Sequence, residues 1–354
     1  MSGTKSVKPR IAMFDTKSYD RDFFETVNHE YGFDILFLQD RLSSNTVSVT
    51  RDRNAVCAFV NDTLDRPVVE QLHENGIELI ALRSAGYNNV DLKAVWKKIH
   101  VVRVPAYSPR AVAEHAVALM LALNRKTHRA YYRVRDNNFA IHGLMGFDMH
   151  GKTAGVVDTG KIGKAAADIL RGFGMNVLAY DVYPDDNYAA QHGFRYVPLD
   201  TLYAESDIIT LHCPLTPDNA HMINEDSIAT MKSGVMIINT GRGRLINTQH
   251  LIDALKKRKV GAAGLDVYEE ETDYFFEDFS SSTITDDVLA RLLTFPNVLV
   301  TSHQGFFTRE AMNSIARTTL ENIRLFFEED SLPNEICYKC GNNECMKEKT
   351  GKCF

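Results

Sequence analysis

The chain has 354 residues, enough for two domains with sizeable cores. Its 44% hydrophobic and 24% charged residues are globular proportions, which exclude wholesale disorder, collagen-like repeats and a fibrous coiled coil. With 40 basic and 46 acidic side chains the net charge is −6, so no basic surplus exists to neutralise phosphates and a dedicated nucleic-acid binder is excluded.

Apolar runs at residues 11–14, 34–38, 56–60 and 79–82 read as strands, with helical stretches at 21–31 and 68–75 between them. Such alternation predicts an α/β domain on a parallel sheet. Ser108-Pro109 marks a helix start, with Ser as N-cap and Pro at the first helical position. That helix is expected to run to about residue 133 and to lie at a domain or subunit boundary. It contains the longest apolar run, residues 116–123, which is too short to span a bilayer. Further strands are predicted at 154–157, 176–180, 207–211, 235–239, 261–267 and 297–300, a six-strand doubly wound pattern. Residues 269–287 are acidic and aromatic without periodicity and read as a surface excursion, and a last helix is expected near 309–328. Residues 1–10 hold no apolar core of a signal peptide, so the expected compartment is the cytosol and no membrane partner is expected.

After the run ending at Val157 comes Asp158-Thr-Gly-Lys-Ile-Gly163, then a helical stretch, and Asp181 closes the next predicted strand. A strand, a tight glycine turn, a helix N-terminus and an acid about 20 residues on form the dinucleotide fingerprint. Gly160, Gly163 and Asp181 satisfy it, and Asp181 favours NAD over NADP because its charge repels a 2′-phosphate. Asp158, however, stands where the first glycine belongs. It adds a Cβ at the turn and a negative charge beside the pyrophosphate, so weakened cofactor binding is expected.

Three groups lie just past predicted strand ends, where doubly wound sheets bind ligands: Arg242, the pair Asp266 and Glu271, and His303. Taken singly, each reads as a surface or strand-end polar residue. Together at one sheet edge beside a nucleotide loop they describe a site. An Arg fork holds a carboxylate, an imidazolium delivers a proton to a carbonyl oxygen, and a carboxylate orients the imidazole. A 2-oxo acid reduced by NADH needs all of this.

These segments resemble the D-isomer-specific 2-hydroxyacid dehydrogenase family over about residues 10 to 335, nearest its fermentative D-lactate branch. The match runs through Arg83-Ser-Ala-Gly-Tyr-Asn-Asn-Val-Asp-Leu92, Val104-Pro-Ala-Tyr-Ser-Pro109, Ala113-Glu-His-Ala116 and Leu211-His-Cys-Pro214. It continues in Asn239-Thr-Gly-Arg-Gly243, Gly264-Leu-Asp-Val-Tyr-Glu269, Phe275-Phe-Glu-Asp278 and Thr301-Ser-His-Gln304. The resemblance implies two doubly wound parallel-sheet domains: a Rossmann NAD-binding domain (108–304) inserted into a discontinuous flavodoxin-like substrate domain (1–107 and 305–335). It implies reversible reduction of pyruvate to D-lactate by NADH, with Arg242 on the substrate, Glu271 orienting His303, and His303 as proton donor. Ala85 and Gly86 would offer backbone N–H groups to the substrate carboxylate, and Tyr107 would close over it. NAD would be held by Gly160, Lys161, Ile162, Gly163, Asp181, Cys213, Pro214, Asn219, Thr240, Gly241, Arg242 and Asp266. A homodimer through the helix after Ser108 is also implied. Two alternatives stand beside this reading: a related dehydrogenase acting on a larger 2-oxo acid, and a non-catalytic NAD-responsive scaffold.

Cys337, Cys340, Cys345 and Cys353 crowd the tail, residues 336–354, past the resemblance. Four thiols can hold Zn²⁺, but the spacing matches no familiar zinc module. No metal is assigned, and the tail is expected to be flexible with exposed thiols.

Overall fold

A computed structural model describes residues 8–270, 274–340 and 345–354. The chain divides into two compact units, Met1–Ser108 with Thr308–Phe354, and Pro109–Phe307. In the first, β1 (Arg10–Met13), β2 (Asp34–Phe37), β3 (Ala55–Ala58), β4 (Leu79–Leu82) and β5 (His100–Val102) form a parallel sheet in the order β2-β1-β3-β4-β5. This is the flavodoxin-like order. β3 and β4 are buried along their whole length, as strands covered on both faces must be. Short β5 lies outside the strands predicted from sequence; its three residues follow a turn and carry no alternation.

At the ends of β1, β3 and β4 the first unit holds a buried charge cluster beside the apolar core residues Phe14, Ala58 and Leu82. Arg83, just past β4, donates to Asp15 O at 2.7 Å, lies 3.7 Å from Asp20 and stacks over the Phe59 ring. Burial pushes the Asp62 carboxyl up to about 6 even though it accepts bonds from Leu42 and Phe59 N–H groups. Helix Arg309–Arg324 returns to this unit, where Arg317 forks onto Glu30 with both bonds at 2.7 Å.

The second unit adds β6 (Thr153–Val157), β7 (Asn176–Tyr180), β8 (Arg195–Tyr196), β9 (Ile208–Leu211), β10 (Val235–Asn239), β11 (Val260–Leu265) and β12 (Val298–Val300). They make a seven-stranded sheet in the order β12-β11-β10-β9-β6-β7-β8, wholly parallel. The expected six strands gain β8, a two-residue edge too short to leave a hydrophobic pattern. Chain order reverses between β6 and β9, the switch point at which such sheets bind nucleotides.

The helix after Ser108 is shorter than expected. It spans Pro109–Arg125, breaks at Lys126 with φ +51°, and resumes as Thr127–Arg135. The break is fixed by residues folding back on the helix end: Asn124 exchanges two bonds of 2.8 Å with the Phe147 backbone, and Lys126 Nζ donates to Met145 O at 2.7 Å. Among the described residues no helix is long and apolar enough to cross a membrane.

Candidate active site

The glycine turn of the second unit joins β6 to helix Lys161–Gly172. Asp158 takes φ +73°, the left-handed region that glycine occupies without cost. Its Oδ1 accepts the Gly160 N–H at 2.8 Å, so the carboxylate caps a donor that the fingerprint offers to phosphate. Burial raises the Asp158 pKa, the Gly160 bond opposes this, and the Asp181 charge adds to the rise. Gly163 is required sterically, because a Cβ there would lie 1.9 Å from Asp158 O. Lys161 is exposed and Ile162 half-buried in the first turn of the helix.

Asp181, past β7, accepts from Thr159 N at 2.6 Å and Oγ1 at 2.8 Å, and from Tyr183 N at 2.8 Å. Burial alone would raise its pKa; the bonds from Tyr183 and Thr159 outweigh that and hold it low. It is therefore an anion with donors already around it, suited to ribose hydroxyls. Past β9, burial pushes the Cys213 thiol up to about 12, which suits a wall and not a nucleophile. Its neighbour His212 is pushed down to about 4 by burial, so it is neutral and cannot serve as a proton donor near pH 7. Asn219 braces the next loop, donating to Pro214 O and accepting from Thr216 N, both at 2.8 Å.

Past β10, the Asn239 side chain accepts from Gly241 N and donates to Arg242 O, fixing the Thr240–Arg242 turn. Arg242 is half-buried and donates to Gly241 O at 2.7 Å. Gly243 beside it admits no side chain, since a Cβ would lie 2.1 Å from the Tyr268 backbone.

Asp266, past β11, organises the turn that carries His303. Its Oδ1 accepts from Thr301 Oγ1 at 2.6 Å and Gln304 N at 2.9 Å, and its Oδ2 from Gly305 N at 2.8 Å. His303 N donates to the Asp266 carbonyl at 2.8 Å. His115, from helix Pro109–Arg125, places Nε2 3.2 Å from Asp266 Oδ1 and 3.1 Å from Thr301 Oγ1. Burial would raise the Asp266 pKa, but the donors, His115 first, hold it below the usual range. His303 itself is half-buried at φ +53°, with the Phe276 ring 6.1 Å away. Glu271 lies outside the described residues. Glu269, two positions earlier, is committed elsewhere: it pairs with His221 at 2.7 Å and accepts from Thr248 N.

In the first unit, Ala85 and Gly86 sit in the loop that follows β4 and buried Arg83. Their carbonyls are taken by Arg103 Nη1 (2.7 Å) and Ser84 Oγ (2.8 Å), and Arg103 also covers the Tyr87 ring. Tyr107 is half-buried. Arg83 and His115 lie inside the family-like segments 83–92 and 113–116, but chain order alone assigns them no role. Their partners are distant in the chain, so only an Arg in an apolar run and a His on an apolar helix face hinted at them.

The profile of the D-isomer specific 2-hydroxyacid dehydrogenase NAD binding domain matches residues 117–305. D-lactate dehydrogenase of Escherichia coli (strain K12) is 52% identical over 328 residues, which is 92% of this chain and 99% of that protein. The structure of the pyruvate reductase of Chlamydomonas reinhardtii matches with TM-score 0.88 and 44% identity, over 93% of this chain and 99% of that one. D-lactate dehydrogenase with NAD⁺ from Lactobacillus jensenii matches with TM-score 0.77 and 31% identity, over 90% and 97%.

Proposed function

The chain belongs to the D-isomer-specific 2-hydroxyacid dehydrogenase family, and we propose that it is an NAD-dependent D-lactate dehydrogenase reducing pyruvate reversibly. The observation that carries this reading is the turn at 301–305, which Asp266 holds by side chain and backbone so that His303 projects from a fixed loop past β12.

NADH, when bound, supplies the hydride to the carbonyl carbon. Arg242 forks onto the substrate carboxylate, and the His303 imidazolium gives its proton to the carbonyl oxygen. In the oxidative direction neutral His303 takes that proton from the 2-hydroxyl. Glu271 is assigned the other ring nitrogen of His303, and Asp266 the nicotinamide amide. The glycine turn fits a dinucleotide at Gly163 and Asp181, while the Asp158 carboxylate on Gly160 N–H opposes it. Gly160, Lys161, Ile162, Cys213, Pro214, Asn219, Thr240 and Gly241 complete the proposed cofactor contacts. In the first unit, Ala85 and Gly86 are assigned to the carboxylate and Tyr107 to covering the substrate.

We assign a cytosolic homodimer. Tyr132, Phe139, Ile141 and Met145 are 68–87% exposed on and after helix Thr127–Arg135, an apolar stretch that favours burial against a second copy. Steady-state NADH oxidation with pyruvate, oxaloacetate and phenylpyruvate tests the substrate. Pyruvate should give the highest kcat/KM; a larger acid ahead by tenfold or more would move the assignment to it, and no turnover with any would favour the non-catalytic scaffold.

A further inference from the structure

We propose that Cys337, Cys340, Cys345 and Cys353 form a closed Zn²⁺ site that fastens the C-terminal residues to the edge of the first sheet. The four sulfurs all lie within 4.8 Å of one another. Around the ring Cys337–Cys340–Cys353–Cys345, successive separations are 3.7, 3.8, 3.7 and 3.9 Å. Tetrahedral Zn–S bonds of about 2.3 Å put sulfurs about 3.8 Å apart. A disulfide would instead bring one pair to about 2.0 Å, and all four thiols are free. Ligands of a multi-iron cluster bind separate irons and spread further.

The surroundings suit a tetrathiolate. Cys337 N donates to Cys340 Sγ at 3.2 Å, closing the Cys-x-x-Cys turn. Four thiolates around Zn²⁺ leave two negative charges, in a segment whose sequence carries Lys339, Lys347, Lys349 and Lys352; of these, Lys347 Nζ donates to Glu335 O at 2.7 Å and Lys352 pairs with Asp330. Four protein ligands leave no open position, which makes the site structural.

What it would hold is visible within the same unit. Ile336 N donates to Val101 O at 2.9 Å, so the tail begins as a bridge along β5, the sheet's edge strand. Glu335 accepts from the Cys353 N–H and lies 2.5 Å from His100 Nδ1. Phe354 stacks on His100 with centroids 4.4 Å apart and meets the Trp96 ring edge-on at 5.0 Å. Among its described residues this short segment has one helix, Lys347–Thr350, and no hydrophobic core of its own, so a cross-link is needed to hold that cover over an edge.

The test is elemental analysis of the full chain, purified untagged, reduced and without chelators, beside Cys345→Ser and Cys340→Ser variants. About one zinc per chain, falling to near zero in either variant, is expected. Because a variant could misfold, the parent chain is also stripped with a thiol-reactive mercurial, reduced again and titrated with Co²⁺; the visible bands of a tetrahedral Co²⁺ thiolate should saturate at one equivalent. Less than about a tenth of an ion per chain with four reactive tail thiols, no saturable Co²⁺ bands, or stoichiometric iron in place of zinc would overturn the assignment. None of these readouts depends on dehydrogenase activity.

Discussion

Replacing Asp158 by Gly removes the one residue of the nucleotide turn that opposes its ligand. Two effects on stability oppose each other: relief of a left-handed side chain at φ +73°, worth about 1 kcal/mol, and loss of the 2.8 Å bond to Gly160 N–H, worth about 1 kcal/mol. Thermal stability should therefore change little, whereas NADH affinity should change a great deal. The variant frees Gly160 N–H and removes a charge beside the pyrophosphate, a gain of roughly 1–3 kcal/mol or about 5- to 150-fold in Kd. Part of that gain is Coulombic and should shrink in high salt. The pH dependence has a defined sign. Burial raises the Asp158 pKa above 3.8, so the cost of its charge is complete above the folded pKa and fades as pH falls through it. The difference between parent and variant should narrow toward acid. NADH fluorescence titrations at two salt concentrations and across pH measure all three. Equal dissociation constants under every condition would mean that Asp158 does not face the phosphates.

Arg242→Lys keeps the charge but loses the planar fork, so KM for pyruvate should rise and kcat fall, together lowering kcat/KM by about 10- to 100-fold in steady-state assays. A near-normal kcat/KM would remove Arg242 from carboxylate recognition. Asp266→Asn weakens the acceptor for Thr301, Gln304 and Gly305, so kcat should drop; in the parent the folded pKa lies below 3.8, and this carboxylate's contribution to stability, full above the unfolded value, should be lost only as pH falls through that lower value, which acid unfolding curves of both proteins would show. Ile141→Glu, at a position 84% exposed, should shift the sedimentation mass toward the monomer without unfolding the chain; an unchanged dimer would place the interface elsewhere.

The parallel sheets were legible because strands such as Ala55–Ala58 and Val235–Asn239 are buried on both faces and read as nearly continuous apolar runs. β5 and β8 were not, since strands of three and two residues are set by neighbouring strands and carry no pattern of their own. The helix break at Lys126 was also hidden: it depends on Asn124 meeting Phe147, and helix propensity alone runs straight through it. In the site, residues that follow strand ends (Arg242, Asp266, His303) could be placed from chain order. The support of Asp266 could not, because His115 reaches it from a helix far off in the chain, and neither could the first unit's own cluster, in which Arg83 meets Asp15 past β1 and Asp20 of helix Ser18–Tyr31. The tail shows the same limit. A cysteine spacing without a familiar template says little until the fold brings the four sulfurs together.

In the proposed reaction a proton moves through His303 while hydride passes to pyruvate. Single-turnover NADH oxidation with pyruvate, comparing the parent with His303→Ala and identifying the lactate enantiomer, tests it most directly. The parent should yield D-lactate, and the variant should react more slowly by about 10²- to 10⁴-fold with an NADH Kd within about twofold of the parent's. L-lactate from the parent, or an undiminished rate in the variant, would contradict it.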